Sequence, residues 1–80
     1  MVHDFTLVYA LNPELDSQDE VLRRLTGSDC ADATVGWGRP GHVALAFSRE
    51  ARERDVAVAL AEAQMAQVFP GAELVRVDAG

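Results

Sequence analysis

The chain has 80 residues, 49% of them hydrophobic, which makes one domain near the lower size limit for a core unaided by metal or disulfides. Its single cysteine, Cys30, excludes an internal disulfide, and no spacing of cysteine and histidine resembles a zinc site. Thirteen acidic residues stand against seven arginines with no lysine, a net charge of −6 that excludes a broad phosphate-binding surface and favours basic protein partners.

The same acidity also serves solubility, as it does in many small proteins. Met1-Val2-His3-Asp4 lacks the basic start of a secretory signal, and no apolar run approaches the roughly 20 residues of a membrane span. The expectation is a soluble, cytoplasmic protein that does not enter the membrane.

From His3 to Leu11, Phe5, Leu7, Tyr9 and Leu11 alternate with Asp4, Thr6, Val8 and Ala10, a period of two that predicts a strand. Asn12-Pro13 breaks it. Ser17-Gln18-Asp19-Glu20 has the form of a capping box, in which the Ser17 hydroxyl takes an orphan amide and Glu20 reaches back to the Ser17 amide. Val21, Leu22 and Leu25 then share a helical face, and Gly27 is expected to end that helix in a left-handed cap. Asp16, Asp19 and Glu20 sit at the positive end of its dipole, Arg23 and Arg24 nearer the negative end.

Ala33-Thr34-Val35 and His42 to Phe47 read as two strands of a hairpin around Gly36-Trp37-Gly38-Arg39-Pro40-Gly41. Pro40 fits the second position of a type II turn, and Gly41 supplies the positive φ of the third. Gly36 and Gly38 suit a bulged tip where a Cβ would clash. Ser48 is positioned to cap a second helix that runs to Val68 and is stopped by Phe69-Pro70-Gly71. This helix is apolar nearly all round. Val56, Ala59, Leu60 and Ala63 form one stripe, and Ala57, Val58, Ala61, Met65 and Val68 form another. Glu73 to Asp78 alternates once more as a last strand.

The order is β-α-β-β-α-β, a ferredoxin-like split βαβ over residues 1–80, with a four-stranded antiparallel sheet and both helices on one face. Phe5, Leu7, Tyr9, Val43, Leu45, Phe47, Val75 and Val77 are expected beneath the helices. Thr6, Val8, Ala10, Ala44, Ala46 and Arg76 are expected on the other face, a smooth patch suited to a partner. That face, or Val58 and Met65 on the outer side of the second helix, is expected to form a homodimer.

The six residues from Gly36 to Gly41 match G-x-G-x-x-G, but a dinucleotide site needs a helix to open after the last glycine, and a strand follows here. His3, His42 and Cys30 are the only groups suited to acid-base or nucleophilic work near neutral pH. No third group orients them, so Cys30 reads as a small buried hydrophobe and His42 as an exposed strand-start residue. No catalytic, cofactor-binding or metal-binding residues follow, and the chain is not read as an enzyme. Trp37 and Arg39 in the loop have the composition of an interface hot spot, or else the ring folds over the core edge. Arg49, Arg52 and Arg54 alternate with acids as a solvated helix start.

The segment CADATVGWGRPGHVALAFSREA, followed by an alanine-rich helix and FPGAELVRVD, resembles the N-terminal domain of small bacterial helix-turn-helix DNA-binding proteins. The positions that carry the resemblance are Cys30, Asp32, Ala33, Gly36, Gly38, Pro40, Gly41, Phe47, Arg49, Glu50 and Ala51. In that family a helix-turn-helix would follow the last strand, where the present residues stop at Gly80, so no DNA-reading residue is carried over. By size, acidity and fold class the chain is also similar to phage anti-CRISPR inhibitors, an analogy of fold.

These readings converge on a non-enzymatic, protein-binding regulator without cofactors, an inhibitor of anti-CRISPR type that occupies a nucleic-acid site on its target and does not itself bind DNA. Asp16, Asp19, Glu20, Asp29 and Asp32, with Trp37 and Arg39, are the expected partner-binding residues. The alternatives are a dimerisation or docking domain of a helix-turn-helix regulator and a small-ligand regulatory domain.

Overall fold

In the computed structural model, residues 1–11, 17–37 and 39–79 are described. They form β1 (Val2–Ala10), α1 (Gln18–Thr26), β2 (Thr34–Gly36), β3 (His42–Glu50), α2 (Arg54–Val68) and β4 (Glu73–Ala79). The strands make one antiparallel sheet in the order β2-β3-β1-β4, the ferredoxin-like arrangement.

The two central strands, β1 and β3, pair over nine residues each, from Val2 opposite Glu50 to Ala10 opposite His42. Their odd-numbered side chains Phe5, Leu7, Tyr9, Val43, Leu45 and Phe47 are all buried, together with Val21 and Leu25 of α1 and Ala57, Ala61 and Met65 of α2. Full burial of each Val, Leu, Phe or Met among them contributes about 1.5–3 kcal/mol. Phe5 and Phe47 stack across the strand pair with ring centroids 5.5 Å apart. Cys30 is part of the same cluster, and burial pushes its thiol above the ordinary range. Tyr9 is likewise pushed up to about 12, first by burial and then by the nearby Glu62 carboxylate.

Several local expectations change. Ser17 caps α1, accepting the Glu20 amide at 3.2 Å, but the Glu20 carboxylate turns to Arg23 and Arg24 and does not reach back to the Ser17 amide. Gly27 ends α1 at φ −91° and ψ 12°, outside the left-handed region. The Leu25 carbonyl is satisfied instead by the Ser28 amide and hydroxyl. Ser48 caps no helix. It lies within β3, opposite Asp4, and its hydroxyl donates to the Asp4 carboxylate, so α2 starts later with Glu53 as an N-cap that makes no side-chain bond. Met65 is fully buried and Val58 partly so, which leaves Val56 and Leu60 as the large apolar groups on the outer side of α2.

The hairpin turn forms as expected. The His42 amide donates to the Arg39 carbonyl at 3.0 Å, and Gly41 has φ +75°. Gly36 needs no such freedom, because a Cβ there would meet Ala44 at an ordinary 3.9 Å, and Gly38 lies outside the described residues. Val75 and Val77 are 49% and 42% exposed. The helices cover the central strands, whereas β4 is an edge strand whose register to β1 shifts between Val8 and Tyr9.

Candidate docking surface on the open sheet face

The face of the sheet away from the helices follows directly from strand register. One row across it is Gly36, Ala44, Val8 and Arg76, and the next is Thr34, Ala46, Thr6 and Asp78. Ser48 and Asp4 continue the surface in one direction, and His42 and Ala10 in the other. Among the described residues no helix covers these rows. The centre is small and weakly apolar, so a partner's side chains can approach the backbone closely.

Charge is divided across this face. Asp4, Glu50 and Asp78 project at one end, with Asp32 at the rim, as the pairings of Asp4 with Ser48, Glu50 with Val2 and Asp78 with Thr6 require. Asp4, Asp32, Thr6, Thr34, Ala46 and Ser48 line an open groove of about 410 Å³. At the other end Arg39, His42 and Arg76 gather around Val8 and Ala44 at a small cavity of about 80 Å³. Val8 is only 7% exposed, so it forms the floor here and offers little contact area itself. Thr6, Ala10 and Ala44 are half-buried and Ala46 is exposed. Sequence pattern located the small residues of this face but not its polarity, because polarity depends on which charged positions become neighbours.

The other expected contact residues are spread over different environments. Asp19 and Asp29 are exposed, and Asp16 lies outside the described residues. Glu20 is held by Arg23 and Arg24. Trp37 is 36% exposed at the end of β2, and Arg39 is exposed in the adjoining turn.

Asp32 is engaged by Arg49, a residue that sequence pattern assigned to a solvated helix start. Arg49 is instead on β3, with its side chain 16% exposed. Its Nε and Nη2 donate to the two Asp32 carboxylate oxygens at 2.7 and 2.9 Å, Nη1 to Gln64 of α2 at 2.7 Å, and Nη2 to the Asp29 carbonyl at 3.1 Å. The guanidinium also lies 4.7 Å from the Phe47 ring centroid. These hydrogen bonds hold the Asp32 carboxyl below the usual range and raise Arg49 above its own. Arg49 therefore ties β3, α2 and the turn after α1 together, a structural task.

Cys30 is fully buried. The His3 ring hydrogen-bonds to the Ala51 carbonyl and the His42 ring to the Pro40 carbonyl, 3.2 and 3.1 Å away, and neither histidine bonds to the cysteine. Among the described residues no three His, Cys, Asp or Glu side chains could hold a metal ion, and no helix is long and apolar enough to cross a membrane. A polar groove of about 390 Å³ lies between the helices, lined by Arg24, Ser28, Asp29, Gln64 and Gln67 among others.

Compared with protein-family models, curated proteins and solved structures, the chain matches none. What it can bind is therefore read from its own surface. That surface is a two-ended face with a small-residue centre.

Proposed function

We propose that this chain is a non-enzymatic protein-binding regulator that docks through its open sheet face on a basic, nucleic-acid-binding surface of its target, as an inhibitor of anti-CRISPR type. The observation that carries this reading is the uncovered row Thr34, Ala46, Thr6 with acidic side chains at one end. The small centre permits close backbone approach, and Asp4 and Glu50 supply the charge that a basic surface would recognise. The net charge of −6 steers the encounter from a distance. Trp37 and Arg39 provide contacts at the hairpin end.

Purified chain added to CRISPR effector complexes should block binding of their target DNA, and the block should weaken as salt rises. Asp4→Lys with Glu50→Lys should abolish it while the circular dichroism spectrum stays unchanged. The chain alone should leave duplex DNA unshifted at physiological salt. Tight, salt-sensitive DNA binding by the isolated chain would overturn the reading, as would a full block by the double variant.

A further inference from the structure

We infer that β4 is a self-association edge, at which two copies of the chain pair antiparallel around Val77 and join their sheets. This goes beyond the docking reading and concerns the sheet's β4 edge, although Arg76 and Asp78 also border the open face. The two edges of the sheet differ in kind. β2 is three residues long, a blunted edge, whereas β4 runs for seven. Among the described residues the outer side of β4 takes no backbone hydrogen bond. Its Leu74, Val75 and Val77 are all substantially exposed. A long edge with exposed apolar side chains is a template for another strand.

Register identifies that strand as a second copy. A two-fold axis through paired antiparallel strands places one residue opposite its own copy. The shift between Val8 and Tyr9 disturbs the start of β4, so only the stretch from Arg76 onward is regular. Centring on Arg76 would set two arginines opposite each other, and centring on Asp78 two aspartates. Centring on Val77 sets Arg76 opposite the partner's Asp78 and Asp78 opposite the partner's Arg76, with the two valines in contact. Only this register is charge-complementary, and it is so twice. The two groups already lie on one face of β4 and meet at 2.9 Å within a single chain. Directly opposite positions on paired strands bring side chains closer than i, i+2 positions on one strand.

Sedimentation equilibrium tests this by charge exchange. The wild-type chain should reach twice its 8.6 kDa mass as concentration rises. R76D and D78R each set like charges opposite at both positions and should weaken the dimer at least about tenfold. An equimolar mixture of the two variants restores opposite charges and should form a heterodimer, and R76D combined with D78R in one chain should dimerise again. Leu60→Glu, on the outer face of α2, should leave the dimer intact. A wild-type monomer at every concentration would overturn the proposal. So would single variants that dimerise as well as wild type, a mixture that stays monomeric, or loss of the dimer on Leu60→Glu alone.

Discussion

The two faces of the sheet are built from the same two strands and serve opposite ends. On the helix side, Phe5, Leu7, Tyr9, Val43, Leu45 and Phe47 are large and closed to solvent. On the other side, Thr6, Ala10, Ala44 and Ala46 are small and at least partly open. Alternation along β1 and β3 thus separates the residues that hold the fold from those left open to solvent. An 80-residue chain has few large side chains to spend, and it places them on one side.

Truncating one side chain on each face separates their roles. Leu45→Ala, at a fully buried position, should cost about 3–5 kcal/mol in urea unfolding, enough to unfold much of a domain this small. Thr6→Ala on the opposite face should cost no more than about 0.5 kcal/mol. Comparable losses at the two sites would mean that the faces are not distinct.

Tyr9 gives a second, optical test of the closed face. It is the only tyrosine, so its ionisation can be followed by absorbance without ambiguity. Tyrosinate should appear near pH 12 in the folded chain, displaced from an ordinary value of 10. The folded state then holds its proton more tightly than the unfolded state. The associated stability is fully present below pH 10 and is lost as pH rises through the folded value, by about 2–3 kcal/mol in total. A titration midpoint near 10 would place the ring in contact with water.

A smaller effect concerns the junction beside the open face. Arg49→Ala removes bonds to Asp32, Gln64 and the Asp29 carbonyl together and should cost about 1–3 kcal/mol. Asp32→Asn should cost about 1 kcal/mol at pH 7, discounted because the carboxylate is nearly half exposed. Asp32 is depressed in the fold, so its contribution is present above the ordinary carboxylate range and is lost as pH falls through the folded value. Wild type and Asp32→Asn should therefore converge in stability in acid, as measured by thermal unfolding across pH. A constant difference down to the lowest pH would contradict the ion pair.

What the sequence made legible follows from the range of the interactions involved. Period-two alternation placed β1 and β4, and Pro40-Gly41 placed the turn with the strand that follows it, because these signals are local. The helix stop at Phe69-Pro70-Gly71 held for the same reason. Ser48 misled because serine before a helical pattern looks like a cap, whereas β3 continues to pair with β1 as far as Glu50. Val77 alternates like a core residue yet lies on an edge strand beyond the cover of the helices, and the register shift sets Val75 beside Val8 and Ala44 at the open-face cavity. Arg49 was hidden by its company, since a run of arginines and acids gives no sign that one of them packs on Phe47 and reaches Gln64. The residues of the open face were legible, but their division into acidic and basic ends required the register.

The most direct test of the division between faces is Ala46→Arg, which sets a bulky cation at the exposed centre of the open face. Inhibition of effector DNA binding and urea unfolding should be measured on the same preparation. Stability should change by no more than about 0.5 kcal/mol while inhibition is lost. Undiminished inhibition at unchanged stability would contradict the account, because the partner would then dock elsewhere.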